Sequence, residues 1–80
     1  MGELDRIRWR CRRGMLELDI AIGQFFDRHF EALPKDDQSA FLELLDEQDQ
    51  DILDWLYAKS EPKSVALKRI ITILIEHAAE

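Results

Sequence analysis

The sequence predicts an all-α fold, a small five-helix bundle, on three observations. Apolar residues recur at helical spacing in five successive stretches, breakers are sparse at Gly 3 and Pro 2, and the composition is 46% hydrophobic and 35% charged. Such a balance excludes a disordered or low-complexity chain. Eighty residues make one helical domain over 1–80, since a chain this short buries only about three-fifths to two-thirds of its unfolded surface. A two-domain enzyme is excluded.

Leu4, Ile7 and Cys11 fall at i, i+3 and i+7 and give a first helix a narrow apolar stripe, with Trp9 on the opposite side. Gly14 ends that pattern and marks a helix end or a tight joint, because glycine inside a helix costs about 1 kcal/mol relative to alanine. The second helix runs from about Met15 to Phe30 with Leu18, Ile22, Phe25 and Phe26 on its core face. Leu33-Pro34 breaks it, and Asp36-Asp37 opens a third helix, where acidic groups suit the positive end of the dipole. Phe41, Leu44 and Leu45 form its buried stripe. Asp49 is the expected N-cap of a short fourth helix carrying Ile52, Leu53, Leu56 and Tyr57, which Ser60-Glu61-Pro62 ends. Ser64 caps a fifth helix whose Leu67, Ile70, Ile71, Leu74, Ile75 and Ala78 share a face, with a strand over Ile70 to Ile75 as the alternative.

Charge is distributed unevenly. Net charge is -6, yet residues 1–13 hold five arginines against Glu3 and Asp5, a local +3 that leaves −9 on the remainder. Asp36 to Asp54 holds eight acidic residues and no basic one. The two poles can pair within the bundle or be presented to a partner. Nonspecific attraction to nucleic acid or an anionic membrane gains nothing from this total, and no apolar run approaches the roughly 20 residues of a membrane span. No nucleic-acid partner, no membrane insertion and a monomer are expected. The single Cys11 cannot form an internal disulfide, which points to a reducing compartment. The acidic start Met1-Gly2-Glu3-Leu4-Asp5 reads as neither a secretory signal nor a transit peptide, so the expected location is the bacterial cytoplasm.

Candidate chemistry is thin. His29 and His77 lie far apart in sequence, outside any metal-ligand spacing, and read as surface residues. No phosphate loop, nucleophile elbow or calcium loop occurs, so no catalytic residue, metal ligand or cofactor-binding residue is assigned. The acidic segment reads as a solvated face with Trp55 and Tyr57 at its edge as contact aromatics. Arg8-Trp9-Arg10 offers guanidinium groups and an indole that a nucleic acid could use, and the alternative is that these arginines neutralise the acidic segment. Arg13 and Glu17 stand four apart across Gly14, where a glycine without a side chain lets another protein's backbone approach between a donor and an acceptor. An ordinary helix junction is the plainer alternative. Asp19 falls inside the apolar arc of helix two and needs partners, from an arginine of helix one or from backbone donors at the junction.

The run Trp9-Arg10-Cys11-Arg12-Arg13-Gly14-Met15-Leu16-Glu17-Leu18-Asp19 resembles the signature of the succinate dehydrogenase assembly factor family, SdhE (YgfY) in bacteria, whose core is Arg-Gly-x-x-Glu. Phe25-Phe26, Leu44-Leu45 and Asp51-Ile52-Leu53-Asp54-Trp55-Leu56 extend the likeness over nearly the whole chain. The resemblance implies a small helical protein, not itself an enzyme. Its expected role is to bind the flavoprotein subunit of succinate dehydrogenase or fumarate reductase and to promote covalent attachment of FAD to a histidine of that client. It also implies that this chain supplies no flavin-linking residue, and because a bundle of this size has no room for an obvious dinucleotide cleft, no FAD is expected to be held stably by this chain. Carried over by position, the partner-binding residues are Arg13, Gly14 and Glu17, with Arg12, Trp9, Arg6 and Asp19 flanking them and Trp55 in the later segment. An antitoxin-like or regulatory protein-binding module is the alternative.

Overall fold

A computed structural model describes residues 2–78; Met1, Ala79 and Glu80 of the expected 1–80 domain lie outside the described residues. Five α-helices follow in order: α1 Glu3–Arg10, α2 Leu16–His29, α3 Lys35–Leu45, α4 Asp49–Leu56 and α5 Val65–His77, with a 3-10 turn at Phe30–Ala32 after α2. The expected helical bundle is what forms, and the segment Ile70 to Ile75 is helix.

Apolar periodicity explains where the core sits. Leu18 and Ile22 from α2, Phe41 and Leu44 from α3, Ile52 from α4, and Leu67 and Ile70 from α5 are fully buried. Phe25, Phe30 and Phe41 fill one end, with ring centroids 5.7 Å apart for Phe25–Phe41 and 5.3 Å for Phe30–Phe41. Helix α5 packs on α3, α2 and α4, while α1 lies along α2. Cys11 closes α1 from inside the core, and burial pushes its thiol up to about 11, so it stays protonated and unreactive at neutral pH. No described helix is long and apolar enough to cross a membrane.

Several local expectations need correction. Leu4 is exposed, at the wall of a groove it shares with Phe30 and Leu42, so the buried apolar side chains that seat α1 are Ile7 and Cys11. Gln48 takes the N-cap place of α4, and Asp49 is the first helical residue, its carboxylate turned to Arg13 instead of the helix end. His29 and His77 are half-buried, not surface residues, and their rings lie 4.0 Å apart. They are the last residues of α2 and α5, whose C-terminal turns meet around Phe25. Ile75 is 47% exposed, on the outer side of α5.

The capping chemistry is informative. Ser64 caps α5 as expected, its hydroxyl accepting from Leu67 N–H at 3.1 Å. Helix α4 ends earlier than Ser60, because Ala58 takes φ 59°. There Ala58 N–H donates to Trp55 and Lys59 N–H to Asp54 at 2.8 Å, the paired bonds of a Schellman turn. A Cβ at that position costs about 1–2 kcal/mol, and glycine adds back part of that in chain entropy. Ala58→Gly is therefore expected to stabilise the protein by roughly 0.5–1 kcal/mol, read as a higher thermal midpoint, and a lower midpoint would contradict the turn geometry.

Candidate functional site

Between α1 and α2 the chain turns at Gly14, whose φ of 82° favours glycine; a Cβ built there meets nothing within 4 Å, so Gly14 faces open space. The turn is pinned from behind. Asp19, in the first turn of α2, accepts a hydrogen bond from the backbone N–H of Arg13 at 2.5 Å. That backbone donor is the partner its half-buried carboxylate requires, which makes Asp19 an organiser of the junction.

The side chain of Arg13 runs inward. Its guanidinium Nε donates to Asp49 Oδ1 at 2.7 Å, Nη1 to the carbonyl of Leu45 at 2.6 Å, and Nη2 to the carbonyl of Glu47. With 12% of the side chain exposed, it is not the free surface donor that a docking role suggests. It fills an electrostatic need instead. Helix α3 has no basic residue in its last turn, so Arg13 supplies from across the bundle the positive charge that its C-terminal carbonyls favour. At the same point it meets Asp49 at the start of α4. One residue thus ties the α1–α2 junction to the α3–α4 junction.

Other arginines of the N-terminal segment are similarly engaged. Arg8 pairs with Asp27 at 2.8 Å and lies over Gly23, where an added Cβ would sit 3.2 Å from its Nη2; Arg10 pairs with Asp46 at 2.5 Å. Two guanidinium groups of the Arg8-Trp9-Arg10 face are therefore directed at the protein's own carboxylates. The acidic segment is not simply solvated. Buried Asp37 receives both Nε and Nη2 of Arg69, at 2.6 and 3.2 Å, and Glu47 meets Lys63 at 3.0 Å.

Exposed around the turn are Gly14 and Glu17, with Arg6, Trp9 and Arg12 on the α1 side. Arg6 and Trp9 are three apart on the outer face of α1, and the Arg12 guanidinium lies 5.7 Å from the Trp9 ring centre. Trp9 is 67% exposed and Leu16 74%. Trp9 and Arg12 form one wall of an open groove whose other wall is Asp19, Ile20 and Gln24 of α2. Ile20 also borders a second groove, between α2 and α5, together with Glu17 and Tyr57. Trp55 departs from its expected place at the edge of the acidic face. It is 7% exposed and packs in the core, because Trp55 shares a helical face with buried Ile52.

Tyr57 is more than a contact aromatic at the edge of the acidic face. Its hydroxyl donates to Glu17 Oε2, joining the end of α4 to the first turn of α2, and no spacing rule links residues 40 apart. Among the described residues no group of three or more His, Cys, Asp and Glu side chains is placed to hold a metal ion.

Comparison with known proteins gives a consistent result. The family described as "Flavinator of succinate dehydrogenase" (Sdh5) matches residues 5–78. The chain is 48% identical over 69 residues to a protein of Pectobacterium atrosepticum named FAD assembly factor SdhE, covering 86% of this chain and 78% of that one. The protein of the same name from Coxiella burnetii is 46% identical over 66 residues, 82% of this chain and 80% of its own. That of Aliivibrio fischeri is 40% identical over 75 residues, 94% and 87% respectively.

Proposed function

Since the chain belongs to the family of flavinators of succinate dehydrogenase, we propose that it binds the flavoprotein subunit of succinate dehydrogenase, or of fumarate reductase, and promotes covalent attachment of FAD to it. The observation that carries this reading is the surface around the Gly14 turn. Exposed apolar side chains are informative where they gather, and of the exposed large ones Trp9, Leu16, Ile20 and Tyr57 lie beside Gly14 and Glu17, whereas Leu4, Val65 and Ile75 stand elsewhere on α1 and α5. Tryptophan, tyrosine and arginine in one patch are the residue types that anchor protein interfaces. Gly14 allows close approach of a partner backbone, Glu17 supplies an acceptor, and Arg12 and Arg6 supply donors at the rim.

In this reading Arg13, Asp19 and Trp55 act from behind the surface by holding the turn and the core. The chain works by positioning: docking holds the client where its own histidine and its own bound flavin react, and the flavin bonds to no residue of this chain. FAD is accordingly held by the client and not by the bundle, and the helper is not itself an enzyme. The test is covalent flavin on the succinate dehydrogenase flavoprotein, read as in-gel flavin fluorescence after denaturation. Fluorescence is expected to fall in cells lacking this protein and to return on complementation. Undiminished fluorescence in the deletion strain would overturn the assignment.

A further inference from the structure

We infer that Tyr57 is a positioning residue for Glu17, its hydroxyl holding the Glu17 carboxylate in one orientation on the docking face. The inference rests on the docking reading above and goes beyond it by naming a residue that lies outside the Gly14 turn.

An exposed glutamate samples many rotamers, and freezing such a side chain when a partner binds weakens the complex. At the start of α2 the Glu17 carboxylate is free to turn toward the positive end of its own helix or outward to solvent. The Tyr57 hydroxyl selects a third arrangement, directed across the surface toward α4. The donor itself stands on a rigid base. Tyr57 is the C-cap of α4, its N–H bonded to Leu53 at 3.0 Å, with buried Trp55 two residues before it and the Ala58 turn immediately after. The ring thus leaves an anchored backbone position, and its bond to one carboxylate oxygen leaves the other oxygen of Glu17 to accept from a partner. Because Tyr57, Glu17 and Ile20 line the same groove, the ring also extends the apolar part of the face.

The proton balance suits this role. The hydrogen bond to Glu17, and secondly its negative charge, raise the pKa of Tyr57 above the ordinary 10.0. A raised folded value means that the contact is complete below the unfolded pKa and lost only as pH rises through the folded one. At neutral pH the phenol keeps its proton and can donate it to Glu17.

The experiment uses the full chain and the isolated flavoprotein subunit of succinate dehydrogenase, with Tyr57→Phe, Glu17→Gln and the double variant. Tyr57→Phe is expected to weaken binding by about two- to tenfold, the range for one side chain that must be ordered on binding, while the thermal midpoint falls by no more than the loss of one exposed hydrogen bond allows and the protein stays folded under the binding conditions. The double variant is expected to bind no more weakly than Glu17→Gln alone. Tyr57 is the only tyrosine in the sequence, so tyrosinate absorbance reports it directly, and its midpoint is expected to return toward 10.0 in Glu17→Gln. Wild-type affinity for Tyr57→Phe, or losses that simply add in the double variant, would overturn the positioning role. If Glu17→Gln also binds as wild type, the docking face itself is misassigned; if only Glu17→Gln is weakened, that face stands and the role of Tyr57 falls.

Discussion

Arg13→Ala is expected to lower stability by about 2–4 kcal/mol, since it removes charge-assisted bonds from a side chain that is mostly buried and leaves its acceptors without a partner. Each acceptor loses something different. The Leu45 and Glu47 carbonyls lie where α3 ends and the chain turns into α4, and Asp49 keeps a partly buried negative charge. For a domain of 80 residues with roughly 4–12 kcal/mol of total stability, such a loss unfolds a measurable fraction at physiological temperature. A urea titration checks it: the midpoint should fall at constant slope. Arg13→Lys is expected to recover only part of the loss, because an ammonium cannot present the planar fork that serves three acceptors at once. An unchanged midpoint in Arg13→Ala would show that the α3–α4 junction holds without the guanidinium. Flavinylation by this variant should decline in step with the folded fraction, as befits a residue acting through the scaffold.

Gly14→Arg is expected to do the opposite, leaving the fold standing and abolishing flavinylation. The positive φ of 82° costs a residue with a Cβ about 1–2 kcal/mol, and the open space around Gly14 means no packing cost is added. The new side chain then projects from the middle of the proposed docking face, between Trp9 and Glu17 in sequence, and holds a partner away. Gly14→Asn separates the two effects, because asparagine tolerates positive φ and is short. Flavin fluorescence of the client, measured beside the circular dichroism of each variant, should be lost with arginine and largely kept with asparagine. A folded Gly14→Arg protein that flavinylates normally would remove Gly14 from the interface.

Most of the architecture was legible in the residues. The i, i+4, i+7 spacing of Leu18, Ile22 and Phe25, the break at Leu33-Pro34 and the cap at Ser64 each act within one or two turns, so they survive whatever the helices later meet. Gly14 was readable as a joint for the same local reason, and Asp19 as a residue in need of partners. The end of α4 was placed too late because Ala58 turns the chain with a positive φ that alanine rarely adopts, leaving no glycine to announce it.

The candidate site divides along the same line. Residue type and spacing mark out the Arg-Gly-x-x-Glu run and the family that carries it, but not which of its side chains faces outward. Arg13 is a donor by chemistry; only the approach of the α3–α4 junction, 32 to 36 residues on, turns its guanidinium inward and leaves Gly14 and Glu17 outside. Trp55 goes to the core, His29 meets His77, and Tyr57 reaches Glu17 by the same kind of long-range encounter. Helix formation and capping depend on neighbours within a turn or two, and the chain's own order supplies those. Pairings between helices depend on which faces the shared core brings together, and that is settled only when all five helices pack at once.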